Sequence, residues 1–418
     1  MIRGLHGLVL LAFLVLAPSA VAADLVVDGV PLPSDAKVAA TTPGGAFEQW
    51  KQAWVGLWSN RIKHILIVEA VEADGAARVV YAIGDNARAG RPASWRRADA
   101  TISGSTLHVR IAQYMASYDM AGDGGLNARF ELGTFTDRAE MTKADMASLT
   151  RPDARVAWLR GGTFEFLQTG LVEDGKPVRL EAVVFRPDGP GPFPLAVINH
   201  GSTGRGTNET SFTETWSSTL LARFLNDRGW IVAFPQRRGR GKSDGLYDEG
   251  FAPNRKAGYS CNAEISLGGA DRALADVEAA ISVLMQRPDV AKAPILIGGQ
   301  SRGGVLSIAY AGMHPGQIAG VVNFVGGWLS EGCPGSIAVN RALFERGASF
   351  DRPTIWLYGQ HDTFYSIPFS RENFAAFENA GGKGQFLEFE APAGQGHFVM
   401  GRPALWSGPL EDYLKSLR

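Results

Sequence analysis

The stretch "ILIGGQSRGG", residues 295–304, sets an apolar run of strand type against a serine bracketed by glycines. Within it Gly299-Gln300-Ser301-Arg302-Gly303 fits GxSxG, with a strand pattern before it and a helix pattern after it. A serine on so sharp a strand-to-helix turn occupies a sparsely populated backbone region, and side chains two residues before and after it would collide with it and with each other. Glycine at 299 and 303 removes the collision. The stretch therefore predicts a nucleophile presented at the end of a buried strand. The plainer reading is a glycine-rich turn whose serine caps the following helix. The additional Gly298 and Gly304 predict close approach by a neighbouring helix or by the N-terminal part of the chain.

Outward from this point, from about residue 160, strands and helices alternate. A hairpin, "TFEFLQTGLVEDGKPVRLEAVVF", turns at Asp174-Gly175. Strands follow at 195–201, 230–234, 294–299, 318–327, 353–359 and 385–391, with helices near 213–228, 271–286, 302–313 and 370–380 and a closing helix. Near-continuous apolar strands separated by helices predict a mostly parallel sheet covered on both faces, an α/β class domain over 160–418. Residues 46–145 read differently, as short alternating strands with turns at Asp74-Gly75 and Ser103-Gly104. They predict a small antiparallel all-β barrel or sandwich. Gly56-Leu57-Trp58 at its start is similar to the Gly-x-Trp opening of lipocalin-like barrels.

Serine alone is a poor nucleophile and needs a base and a group to orient that base. His397, in "APAGQGHFVM" after the last strand, is the histidine whose glycine-rich loop allows an imidazole above the sheet edge. Asp362, in "WLYGQHDTF", follows a late strand and lies between Ser301 and His397 in chain order, with Glu331 as the second choice of acid. For the oxyanion, the backbone N–H of Arg302 at the helix start is one donor. The other is the N–H of Ser202, with that of Gly201 the second choice, in "NHGSTG" after the strand at 195–201, and His200 is a hydrogen-bonded structural residue beside it.

With these residues in view, 160–418 resembles the α/β-hydrolase superfamily. The set "NHGSTG", "PQRRGRGKSDG", "GGQSRGG", "YGQHD" and "GQGH" is similar to its dienelactone-hydrolase-like and prolyl-oligopeptidase-like serine hydrolases. The resemblance implies a Ser301, Asp362 and His397 triad, acyl-enzyme chemistry and no cofactor. Dienelactone hydrolases proper use a cysteine nucleophile where this chain has Ser301, so their substrate is not carried over.

The remaining features bound the setting. Residues 1–22 have the form of a signal peptide: Arg3, an apolar run from Leu8 to Leu16, and Ala20-Val21-Ala22 before Ala23. The run is too short for a membrane span, so a soluble, exported protein, secreted or periplasmic, is expected. In that compartment Cys261 and Cys333, the two cysteines of the chain, are a disulfide candidate, and with few histidines nearby they are no metal site. A net charge of −1 over 418 residues carries no footprint for nucleic acid or an acidic membrane. "GRGKS" at 239–243 is not a P-loop, because Gln236 stands where the first glycine belongs. Residues 237–261 instead predict a loop over the active site, with 243–259 as lid. Three functions compete: hydrolysis of small-molecule carboxylic esters, a serine peptidase acting on short peptides, and a non-catalytic ligand-binding protein.

Overall fold

The computed structural model describes residues 25–417, apart from 41–44, 46, 59–61, 87–89, 113, 122–123, 133–134, 150–155, 157 and 159–160. Residues 1–22, expected from the sequence to be a signal peptide, lie outside the described residues.

The chain begins with a short hairpin, β1 (Leu25–Val27) and β2 (Val30–Leu32), which had no signal in the sequence. Eight strands follow: β3 (Ala53–Trp58), β4 (Ile62–Val71), β5 (Ala76–Ile83), β6 (Ser94–Ser103), β7 (Thr106–Ile111), β8 (Tyr114–Met120), β9 (Leu126–Leu132) and β10 (Phe135–Ala144). Each pairs antiparallel with the next, and β10 returns to β3, so the sheet is a closed barrel and not a sandwich. Closure brings Met141 opposite Gly56, where a Cβ would stand 2.6 Å from the Glu140 carbonyl oxygen. The first glycine of Gly-x-Trp is thus a seam residue.

Alternation along β4 sorts the side chains by face. His64, Leu66 and Val68 belong to the barrel interior, which Trp54, Trp58, Tyr81, Tyr118 and Met141 fill. Ile65 and Ile67 join a different cluster, continuous through β2 with the core of the second sheet. A partly exposed ion pair at 2.5 Å between Glu140 of β10 and Arg223, in the helix at Thr219–Asn226, adds a polar tie between barrel and catalytic domain.

After the one-turn helix α1 (Met146–Leu149), the second sheet is built from β11 (Gly162–Glu173), β12 (Lys176–Phe185), β13 (Leu195–Asn199), β14 (Ile231–Pro235), β15 (Ile295–Gln300), β16 (Ile318–Phe324), β17 (Thr354–Gly359) and β18 (Gly384–Phe389). The order is β11-β12-β14-β13-β15-β16-β17-β18; β12 is antiparallel to both its neighbours, β11 and β14, and all the other pairs are parallel. Positive φ at both Asp174 (50°) and Gly175 (72°) gives the β11–β12 turn the primed geometry that matches strand twist. Helices α2 (Thr219–Asn226), α3 (Ala263–Leu284), α4 (Arg302–Met313), α5 (Ser336–Arg346), α6 (Ile367–Asn379) and α7 (Pro403–Ser416) cover the faces.

Three boundaries differ from expectation. Helix α2 starts late, where Ser218 accepts the Leu221 N–H. Helix α3 starts eight residues before the expected 271, capped by Asn262, whose Oδ1 accepts the Ile265 N–H at 3.0 Å. Gly269, inside the helix, is where it meets the Gly250 backbone, with no room for a Cβ. Helix α5, in a stretch read as loop, lies against α4 and α6.

Candidate active site

Ser301 stands between β15 and α4 with φ 57° and ψ −123°, outside the regions a side-chain-bearing residue normally occupies. Such a conformation costs on the order of 1–3 kcal/mol and persists only where the surroundings enforce it. Here the Ser301 N–H donates to Phe324 O at 2.9 Å, while its carbonyl accepts from Gly304 N–H at 2.9 Å and Gly327 N–H at 3.2 Å. A Cβ on Gly299 would stand 2.6 Å from Asn199 O, and one on Gly303 2.7 Å from His200 O. Those glycines therefore clear space for the end of β13 as well as for the elbow. The outer pair does not serve a helix or the N-terminal part: Gly298 lies against Val322 of β16, and Gly304 against Asn323 and Gly326 beyond it. Ser301 makes no side-chain capping bond to α4, so the plain capping role is not the one observed.

The loop after β13 lies against the serine. A Cβ at Gly201 would be 3.1 Å from Ser301 Cβ and 3.6 Å from its Oγ, so the backbone just before Ser202 passes beside the hydroxyl. Arg302 is the first residue of α4, so its N–H has no intrahelical acceptor. His200 Nδ1–H donates to Gly201 O at 2.8 Å and Nε2 accepts the Arg237 N–H at 3.1 Å. Burial, then the charges of Arg237 and Arg240, hold its pKa well below the ordinary histidine value. His200 is a neutral buried residue that shapes the loop.

Across the serine, Nδ1–H of His397 donates to Asp362 Oδ2 at 2.8 Å. The other carboxylate oxygen accepts backbone N–H groups of Phe364 (2.7 Å) and Tyr365 (3.1 Å), so Asp362 is fixed from both sides. With Nδ1 protonated, Nε2 carries the lone pair. The imidazole loop is tied to the elbow, since Gln300 Nε2 donates to His397 O at 2.7 Å. Glu331 is exposed and accepts the Ser366 N–H at 3.0 Å, as a loop charge. His314 stacks on Tyr310 at 4.4 Å, its Nε2 buried without a partner, so it does not cap the carbonyls of α4.

One part of the site had no clear sequence signal, and a second differs from what the sequence suggests. Tyr365, three residues after Asp362, is buried, with its ring 5.6 Å from His397 and its hydroxyl donating to Gly327 O at 2.8 Å. Burial pushes that hydroxyl's pKa up. The second is the expected lid. Tyr247, Glu249 and Phe251 are buried, and Glu249 accepts from Arg237 Nε at 2.6 Å and from Arg302 Nη1 at 3.3 Å. Residues 247–251 of the expected lid are therefore a packed wall, held by the Glu249 pairs with Arg237 and Arg302, while Pro253, Asn254, Lys256 and Ala257 are exposed. Cys261, at the end of the 237–261 segment, is joined to Cys333 by a disulfide with Cα atoms 5.4 Å apart. Among the described residues no group of three His, Cys, Asp or Glu side chains could hold a metal ion.

Residues 213–327, from before α2 through the elbow and β16, match the family model described as serine aminopeptidase, S33. No curated protein matches the chain. Among solved structures, the chain is similar to the esterase Pf2001 of Pyrococcus furiosus, with 15% identity, TM-score 0.43, and coverage of 61% of this chain and 90% of that one. It is also similar to Est1E of Butyrivibrio proteoclasticus, solved with ferulic acid bound (15%, TM-score 0.42, 60% and 98%). A third is a putative dienelactone hydrolase of Klebsiella pneumoniae (18%, TM-score 0.36, 55% and 87%). The order of the second sheet and the strand–turn–helix elbow at Ser301 define an α/β-hydrolase fold, and the family match covers 213–327 of it. An all-β barrel precedes its catalytic sheet.

Proposed function

We propose that the protein is an exported serine esterase that cleaves small-molecule carboxylic esters through an acyl-enzyme. The observation that carries this reading is the Asp362–His397 hydrogen bond of 2.8 Å beside a serine held at φ 57°. His397 Nε2 takes the proton of Ser301 Oγ as that oxygen attacks the ester carbonyl. The carbonyl π electrons move onto oxygen, which the N–H groups of Arg302 and Ser202 stabilise. His397 then delivers the proton to the departing alkoxide, leaving an acyl-Ser301 ester. Water attacks that ester, again giving a proton to His397, and Ser301 leaves with it as the acid is released. Asp362 keeps Nδ1 protonated and supports the imidazolium throughout. No step calls for a cofactor.

Export is supported by the form of residues 1–22 and by the disulfide, a bond that persists in oxidising compartments. Among the described residues no helix is long and apolar enough to cross a membrane. N-terminal sequencing of the mature protein should read from Ala23.

A peptidase acting on short peptides is the second reading, favoured by the printed description of the matching family. A fluorophosphonate should label wild type at Ser301 and leave Ser301→Ala unlabelled. Higher kcat/KM on p-nitrophenyl esters than on aminoacyl p-nitroanilides supports the esterase; the reverse order establishes the peptidase. A folded wild type that stays unlabelled ends both readings.

A further inference from the structure

Directly behind the proposed oxyanion hole, a chain of hydrogen bonds leads from a buried carboxylate to the loop that carries Ser202. Glu249 is 2% exposed, and its Oε2 accepts the hydroxyl of Tyr247 at 3.1 Å. The charges of Arg237 and Arg302 overcome burial and keep it ionised, and an ionised carboxylate only accepts hydrogen bonds. That fixes the polarity of everything downstream. Tyr247 spends its single proton on Glu249, so at 2.7 Å its oxygen accepts the proton of Tyr259. Tyr259 in turn has only lone pairs left, and these accept the Thr203 backbone N–H at 3.2 Å and its Oγ–H at 2.9 Å. Thr203 follows Ser202 directly.

The same carboxylate also anchors the other donor. Arg302 is buried, its guanidinium held between the rings of Tyr259 at 3.7 Å and Trp328 at 4.3 Å, with bonds to Glu249 O (2.9 Å) and Trp328 O (3.1 Å). Both oxyanion donors therefore take their positions from one point. The backbone of Arg302 is tied to it through its own side chain, and Ser202 through Thr203, Tyr259 and Tyr247.

We propose that Tyr259 is a positioning residue for acyl transfer: its hydroxyl, oriented by Tyr247 and Glu249, holds the Thr203 backbone so that the Ser202 N–H points at the developing oxyanion. The inference rests on the assignment of Ser301, Ser202 and Arg302 above. Oxyanion donors matter in the transition state more than in the bound ester. Misaiming one therefore lowers kcat and leaves KM nearly unchanged, whereas a general loosening of the site changes both.

The test is Tyr259→Phe in the full chain, which keeps the ring on Arg302 and removes the hydroxyl. With a p-nitrophenyl ester, kcat and the second-order rate of fluorophosphonate labelling should each fall roughly 10- to 100-fold, with KM within about twofold. Tyr247→Phe should show the same split, and the double variant should be no worse than either single one, because the residues act in series. Thr203→Val, which removes Oγ at an accessible loop and keeps the N–H, should give a smaller loss of the same kind. If wild type labels at Ser301 but kcat in Tyr259→Phe stays within threefold, or falls with an equal rise in KM, the positioning role is overturned. Additive losses in the double variant overturn the relay. A wild type that does not label overturns the serine-hydrolase reading itself.

Discussion

Ser301, Asp362 and His397, the proposed triad, are far apart in the chain, and each follows a strand of one sheet. Asp362 is the most informative, because its four acceptor directions are largely used: one oxygen on His397, the other on two backbone N–H groups. Asp362→Asn can present an amide N–H to the imidazole and select the wrong tautomer, so kcat on a p-nitrophenyl ester should fall about 10³- to 10⁴-fold. Glu331→Gln, altering an exposed loop charge, should leave kcat within about twofold. A reversed pair of results would move the acid to Glu331. The order serine, acid, histidine was legible in the sequence because each follows its own strand. Which of the two acids touches the imidazole depends on a loop conformation, and spacing does not encode that.

At the scale of elements, the segment of residues 237–261 departs most from expectation. Glycines and arginines in a strand-to-helix connection read as a mobile cover. Their partners are supplied from elsewhere: Asp276 of α3 accepts Arg238 Nε at 2.6 Å, and Arg302 of α4 shares Glu249 with Arg237. Long-range pairing of this kind leaves no periodic trace in the chain. The disulfide fastens the end of this segment to the connection after β16, closing a separation of 72 residues. Restricting the unfolded chain over such a loop contributes about 4 kcal/mol. The Cys261→Ser, Cys333→Ser double variant should thus melt roughly 10 °C lower. The kcat of whatever remains folded should fall with it, since Tyr259 lies two residues before Cys261. An unchanged melting temperature would show that packing alone holds the wall.

For the molecule as a whole, the barrel interior holds a buried group that couples stability to pH. His64 is fully buried; Nδ1–H donates to Ala82 O at 2.8 Å, Nε2 accepts the Tyr118 hydroxyl at 2.9 Å, and the rings of Trp58 and Tyr81 pack on it. Burial lowers its pKa to about 4, against the hydrogen bond to Ala82, which raises it. The unfolded chain binds this proton near pH 6.5 and the folded one near 4. The stabilisation is complete above pH 6.5 and is lost as pH falls toward 4, amounting to roughly 2 to 3 kcal/mol between pH 7 and 4.5. Tryptophan-detected melting of wild type should drop over that window, and His64→Gln, which keeps an amide donor and acceptor, should flatten the drop. An equal slope in both would place the acid sensitivity elsewhere.

The sequence by itself determined the parts that depend on local rules. Alternation of period two separated the strands of 46–145, apolar runs between helices marked the parallel sheet, and GxSxG between strand and helix located the elbow. Barrel closure, the entry of α3 at Ala263, the packing of Gly298 and Gly304 against β16 and its following loop, and the buried Glu249 cluster were decided only by tertiary structure. Each depends on what a residue meets after the chain has folded back on itself: a returning strand, a neighbouring backbone or an opposite charge. Those encounters connect positions tens of residues apart, where neither propensity nor periodicity carries information.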